Sequence, residues 1–268
     1  MFRVAPQNRK AEALSTSKTA LRDRALFLAV DLDGTFLGGS TAERAALYDL
    51  IERRRDDVAL VFVTGRDIPF ASGLAASGET PAPDMIIGDV GTSVVVGPEW
   101  TPHSAAEAWI DERWPGPKLA AEIMTRRPKL KQQDIFGGRR LSYFYDDADE
   151  ARAAGAEIEA AGYAALTSAD LYFDVLPRGV NKGETLLQVL AQEGCVHERV
   201  LCAGDTMNDL SLFQTGLRGV AVGNAEPRLR DAVASLKNVY CARREGAGGI
   251  MEAIERFNLL SKAMKEAV

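Results

Sequence analysis

Apolar positions along the chain fall into two kinds of run. Some are unbroken, as at residues 25–30 (ALFLAV), 58–63 (VALVFV) and, after a leading arginine, 199–203 (RVLCA). A strand covered on both faces, as in a parallel sheet, reads this way. Others recur at helical spacing: Ala45, Leu47, Leu50 and Ile51 within 41–54, and Leu186, Leu187, Val189 and Leu190 within 181–193. These predict helices with one buried face, N-capped by Thr41 and Asn181, the second ended by Gly194. Shorter strands are expected at 85–87, 92–96 and 219–222, and helices at 69–76, 210–214 and 250–257. Alternating buried strands and helices predict an α/β fold with a doubly wound parallel sheet.

The texture changes between about residues 99 and 178. Helical patterns at 103–113 and 117–126 flank a Trp-Pro-Gly-Pro break, followed by strand patterns at 140–146, 163–167 and 171–176 and an Ala/Glu-rich helix at 147–161. Strands here are joined without long crossovers. A small α+β layer inserted into the larger unit is therefore expected, with the core formed by 25–98 and 179–268. Residues 1–24 are polar and net basic, and are expected to be a flexible tail.

Length and composition support a large core: 46% of the 268 residues are hydrophobic, enough to cover both faces of a sheet. A formal charge of −6 gives no basis for nucleic acid or an anionic membrane as partner. No apolar run approaches the roughly 18 residues of a membrane span. A soluble, cytoplasmic monomer or homodimer with a small-molecule partner is expected. Cys195, Cys202 and Cys241 have no metal-type spacing and read as reduced structural thiols. His103 and His197 read as solvated surface residues.

The informative chemistry lies just beyond the unbroken strands. The first is followed by Asp31, Leu32, Asp33, Gly34 and Thr35; the second by Thr64, Gly65 and Arg66; the third by Gly204, Asp205, Thr206, Met207, Asn208 and Asp209. Open α/β sheets place ligands at the carboxyl ends of their strands. Two carboxylates at Asp31 and Asp33 repel each other unless a cation joins them, for which a hard divalent ion such as Mg2+ is the simplest candidate. Lys182, one helix before the third strand, is expected at the same edge. A carboxylate nucleophile, a hydroxyl, a lysine and an acid cluster for a metal together make a phosphoryl-transfer site.

These four segments resemble the haloacid dehalogenase (HAD) superfamily of phosphohydrolases: DLDGT at 31–35, VTGR at 63–66, the Lys182 segment and GDTMND at 204–209. PDMIIGDVGTSV at 83–94, RLSYFYD at 140–146 and DVLPRGVNKGETLLQVL at 174–190 are most similar to its sucrose-phosphate phosphatase branch. The resemblance implies a Rossmann-like core with an α+β cap, and Mg-dependent hydrolysis of a sugar phosphate, such as a disaccharide phosphate. It implies Asp31 as nucleophile forming an aspartyl-phosphate, Asp33 as general acid/base, Thr64 on the phosphoryl group and Lys182 against accumulated charge. Asp205 would bind the metal with Asp31 and the Asp33 carbonyl, supported by Asn208 and Asp209. A broad sugar-phosphate phosphatase or a phosphomutase is the alternative within this chemistry. A receiver-like signalling module shares the phosphorylated aspartate but needs neither Asp33 nor a large insert.

Several residues carry two readings. Gly65 and Arg66 are candidate substrate contacts, with a turn and a surface ion pair as the alternatives. Tyr143 is a candidate sugar contact that competes with a core role, and Arg178 a candidate substrate contact that competes with a solvated hinge. Asp89 and Thr92 are expected in a turn with either a substrate-facing or a purely local role. Lys129, Lys131, Arg139 and Arg140 are expected to form a solvated face.

Overall fold

The computed structural model describes residues 19–135, 138–168 and 170–260. In chain order the strands are β1 (Leu26–Val30), β2 (Val58–Val63), β3 (Met85–Gly88), β4 (Ser93–Val96), β5 (Thr101–Pro102), β6 (Lys131–Gln132), β7 (Leu141–Phe144), β8 (Tyr163–Ser168), β9 (Tyr172–Pro177), β10 (Val200–Gly204), β11 (Arg218–Ala221) and β12 (Val239–Cys241). The helices are α1 (Thr41–Arg53), α2 (Ile68–Ser77), α3 (Ser104–Asp111), α4 (Lys118–Met124), α5 (Ala148–Ala160), α6 (Lys182–Glu193), α7 (Leu210–Gln214), α8 (Pro227–Val233) and α9 (Gly246–Arg256).

Eight strands form one sheet in the order β12-β11-β10-β1-β2-β3-β4-β5, parallel from β12 to β3 and antiparallel at β4 and β5. The α/β reading of the unbroken runs holds for a simple reason. Leu26, Leu28 and Val30 pack into the core under one face of the sheet, while Phe27 and Ala29 pack into the core under the other. A strand whose side chains alternate between two dry layers has no polar position to spare. β1 lies between β10 and β2, so the direction of winding reverses beside it. The carboxyl ends of these three strands therefore frame the crevice where such sheets bind ligands.

A second, antiparallel sheet has the order β6-β7-β9-β8 and packs with α4 and α5 around its own core, including Tyr143, Ile158, Tyr163 and Phe173. The chain stays with the large sheet longer than the change of texture near residue 99 indicates. β5 pairs with β4, and Ala106 and Ile110 of α3 belong to the large sheet's core. Among the described residues no helix is long and apolar enough to cross a membrane.

Several local expectations are corrected. The N-cap of α1 is Ser40, one residue ahead of Thr41, in a reciprocal capping box with Glu43. Of the expected tail, residues 1–18 lie outside the described residues. Arg24 is buried, donating to the Val58 carbonyl at 3.0 Å and pairing with Asp84 at 2.7 Å. His103 is not simply solvated: its Nδ1 accepts the Ala106 amide and its Nε2 lies 3.1 Å from Glu193. The three cysteines are free thiols.

Candidate active site

After β1 the chain makes one wide helical turn over Leu32–Phe36, closed by Phe36 N–H donating to the Asp31 carbonyl at 3.0 Å. Gly34 sits at φ +78, and a Cβ there would lie 2.1 Å from Asp205 Oδ2. Glycine is therefore required both by the turn and by the carboxylate beside it. The Asp205 Oδ1 accepts the Thr35 hydroxyl at 2.8 Å.

α6 delivers Lys182 at its first turn, behind the Asn181 side chain, which accepts the Glu184 amide. The Lys182 ammonium is wholly buried and donates to Asp31 Oδ1 at 2.7 Å, Asp209 Oδ1 at 2.6 Å and Asn208 Oδ1 at 3.0 Å. The other Asp209 oxygen accepts the amides of Asp205 at 3.0 Å and Thr206 at 3.1 Å. Residues from 151 and 178 positions away thus reach one ammonium and one acid cluster.

Electrostatics follow from burial. Burial pushes the Asp31 carboxyl up to about 8, with Lys182 opposing the rise and Asp209 and Asp205 adding to it. Burial likewise lifts Asp205 to about 7, Asp209 adding and the Thr35 hydroxyl opposing. Desolvation works against the Lys182 charge, but Asp209 and Asp31 outweigh it and hold the ammonium above its ordinary value.

Carboxylate oxygens of Asp31, Asp205 and Asp209 all lie within 4.8 Å of one another. Three acids share a single lysine, and burial together with their mutual repulsion raises both Asp31 and Asp205, as expected where positive charge is short. Hard oxygen donors at this density fit a magnesium-sized divalent cation. Asp33 stands outside the cluster. Its half-exposed side chain is held by Arg66 through two parallel bonds, Nε to Oδ2 at 2.7 Å and Nη2 to Oδ1 at 3.0 Å. The Arg66 guanidinium also lies 4.5 Å over the ring of Phe70.

A cavity of about 530 Å³ opens between the two sheets, lined by Asp31, Asp33, Gly65, Arg66 and Asn208 from the large-sheet side and by Gln133, Arg140, Ser142, Tyr172 and Asp174 from the other. Thr64 is buried at the end of β2 and does not line it; its hydroxyl accepts the Arg66 amide at 3.1 Å.

Two candidate contacts are corrected. Tyr143 is buried in the small core, edge-on to Phe173, and does not face the cavity. β7 and β9 pair Ser142 with Asp174 and Tyr143 with Phe173, so alternation sends the first pair to the cavity and the second to the core. Arg178 is exposed and does not line the cavity. The reverse correction applies to Arg139 and Arg140, which are not a solvated face. Arg139 pairs with Glu107 and Asp111, each at 2.6 Å, and Arg140 is buried against Asp89 at 3.1 Å. Arg140, Ser142 and Asp174 were hidden from sequence reasoning. The only signal was the alternation of RLSYF against YFDVL, which becomes readable once the two strands are known to pair.

The turn Asp89–Gly91 is unusual. Asp89, Val90 and Gly91 have φ of +51, +60 and +100, and such conformations cost about 1–3 kcal/mol each for non-glycine residues. Burial raises the Asp89 carboxyl to about 6, with Arg140 opposing.

The profile of the family described as sucrose-6F-phosphate phosphohydrolase matches residues 24–258. The chain is 40% identical over 241 residues to a glucosylglycerol-phosphate synthase of Pseudomonas anguilliseptica, an alignment covering 88% of this chain and 31% of that protein. It is 32% identical over 243 residues to a mannosylfructose-phosphate phosphatase of Agrobacterium fabrum, covering 87% and 96%. With sucrose-phosphatase 2 of Nicotiana tabacum it shares 32% over 254 residues, covering 87% and 59%. The chain thus spans about a third of the synthase, about three fifths of the tobacco enzyme and nearly all of the Agrobacterium one. Among solved structures, the sucrose-phosphatase of Synechocystis in complex with sucrose and phosphate superposes with a TM-score of 0.81 at 27% identity, covering 88% of this chain and 98% of that one. A haloacid dehalogenase-like hydrolase of Bacteroides thetaiotaomicron shares the fold at a TM-score of 0.61 and 18% identity, covering 86% and 98%. On the match across 24–258 and these relatives, the chain belongs to the sucrose-6F-phosphate phosphohydrolase family of HAD-type phosphatases.

Proposed function

We propose that the protein hydrolyses a glycosyl phosphate monoester in a magnesium-dependent reaction through a phosphorylated Asp31. The observation that carries this reading is the contact of Asp31 with a buried lysine at 2.7 Å, at the floor of a cavity that also presents Asp33. An Asp31 oxygen attacks phosphorus, the ester P–O bond breaks, and Asp33, having taken a proton from solvent once the phosphate draws Arg66 away from it, gives that proton to the departing sugar oxygen. Asp33 then takes a proton from water as that water attacks phosphorus, releasing phosphate and restoring Asp31. Lys182 stabilises the charge that gathers on Asp31 and the transferred group. Asp31, Asp205 and Asp209 would hold the cation, which when bound supplies charge neutralisation at the phosphoryl oxygens.

Arg66 and Asp33 occupy each other at the cavity mouth. An incoming phosphate dianion offers the guanidinium a second partner, and its arrival would free Asp33 for proton transfer. The substrate reading draws on the relatives, whose names point to glycosyl groups joined to fructose or glycerol, and on a cavity of about 530 Å³ beside Asp31.

The test is phosphate release, with magnesium, from glucosylglycerol phosphate, mannosylfructose phosphate and sucrose-6-phosphate. One of the three should be strongly preferred. Asp31→Asn should abolish turnover while the circular dichroism spectrum and oligomeric state remain those of the native chain. Turnover retained by that variant would refute Asp31 as nucleophile.

A further inference from the structure

The strained turn Asp89–Gly91 touches three parts of the site at once. Its amides hold the loop after β2: Asp89 N–H donates to the Arg66 carbonyl at 2.9 Å and Val90 N–H to the Thr64 carbonyl at 3.1 Å. Gly91 packs against the start of α6. A Cβ there would lie 2.5 Å from the Asn181 carbonyl carbon and 2.9 Å from the Lys182 nitrogen, and the Thr185 hydroxyl donates to the Gly91 carbonyl at 2.8 Å. Arg140 joins the turn from the four-stranded sheet. Its Nη2 lies 3.1 Å from Asp89 Oδ1, while its Nη1 donates to the Gly65 carbonyl at 3.1 Å.

We propose that Arg140 is a positioning residue for phosphoryl transfer: its contacts with Asp89 and the Gly65 carbonyl make the seating of the four-stranded sheet a condition for placing the Thr64–Arg66 loop and, through Gly91, Lys182. The inference rests on the phosphoryl-transfer reading of this site. Backbone in a sparsely populated conformation persists only where its surroundings over-determine it. One of the anchors here is a buried ion pair from a separate sheet. Without Arg140, Asp89 is a buried acid with no cation, and the turn has reason to relax. That relaxation would pass to Thr64, Arg66 and Lys182 by the bonds described.

The experiment compares Arg140→Met, Arg140→Lys, Asp89→Asn and the Asp89→Asn/Arg140→Met pair on two esters. One is the glycosyl phosphate that the native chain cleaves fastest. The other is p-nitrophenyl phosphate, whose leaving group has no sugar hydroxyl for Arg140 to bind. Inhibition by orthovanadate reads the phosphoryl site directly. Positioning predicts that Arg140→Met and Asp89→Asn each lower kcat on both esters, by about 100-fold for a displacement near 1 Å. It also predicts weaker vanadate inhibition in both, partial recovery in Arg140→Lys, and a double variant no worse than its poorer parent.

A rise in KM confined to the glycosyl phosphate, with Asp89→Asn silent, would make Arg140 a sugar contact and overturn the proposal. Multiplicative losses in the double variant would overturn it as well. Should Arg140→Met fail to fold, Asp89→Asn and Arg140→Lys carry the same comparison. If the native chain cleaves neither ester, the function proposed above and this role fall together; if it cleaves them and the variants match it, only the role falls.

Discussion

Lys182 places one positive charge, without solvent contact, between Asp31 and Asp209. Removing one partner of a buried pair costs about 3–5 kcal/mol, because the other charge is left uncompensated. Lys182→Met should therefore lower the urea-unfolding free energy by that order as well as abolish phosphate release. The same acids set a pH dependence. Asp31 and Asp205 have folded values of about 8 and about 7, above the ordinary 3.8. Their contribution to stability is complete below that ordinary value and is lost as pH rises through 7 and 8. In EDTA the Tm should fall across this window, and the gain in Tm on adding magnesium should be larger at pH 8 than at pH 6, since cation and protons compete for the same oxygens. An equal gain at both would argue against Asp31 and Asp205 as ligands. The acids and the lysine were legible because each follows an apolar run or opens a periodic one. Tyr143 takes the core role that competed with sugar contact, and Arg140 is buried rather than solvated, for a single reason: facing is set by strand pairing, and a charge reads as solvated until a distant strand covers it.

At the scale of elements, the site depends on α6 lying close to α7. A Cβ on Gly183 would lie 2.1 Å from the Ser211 carbonyl oxygen, and the Gly183 amide donates to the Ser211 hydroxyl at 3.2 Å. Gly183→Ala should thus push the first turn of α6 outward, with Lys182 on it. Overpacking of this kind costs about 1–3 kcal/mol. Activity should fall more steeply than stability, as a comparison of kcat with the unfolding midpoint will show. Long elements with a single strong pattern, β1, β2 and α6, were readable in the sequence. α8 and β12 were not, being seven and three residues long, with β12 only half-buried. α9 begins at Gly246, four residues before its apolar pattern starts at Ile250, because its first turn is glycine-rich. Those glycines reflect crowding: a Cβ on Gly248 would lie 2.4 Å from Glu43 Oε1, and one on Gly249 2.6 Å from the Arg244 carbonyl oxygen.

For the molecule as a whole, ion pairs at the side of the cavity help tie the two sheets together, from the buried Arg140 to the partly exposed Arg139. Arg139 ties the approach to β7 onto α3 through Glu107 and Asp111. Arg139→Ala should raise amide hydrogen exchange in β6, β7 and β9, with β1 and β10 keeping native protection; uniform loosening of both sheets would show that the ion pairs hold more than their junction. The alternation of texture along the chain foretold two layers, but their contacts come from residues tens of positions apart, which no local pattern encodes. All four strands of the smaller sheet lie in one uninterrupted stretch, from Lys131 to Pro177, between segments that both belong to the larger one. On the roles proposed above, drift within that stretch is free to reshape the far wall of the cavity only where it spares Arg140, the one side chain in it that reaches both Asp89 and the Gly65 carbonyl among the described contacts.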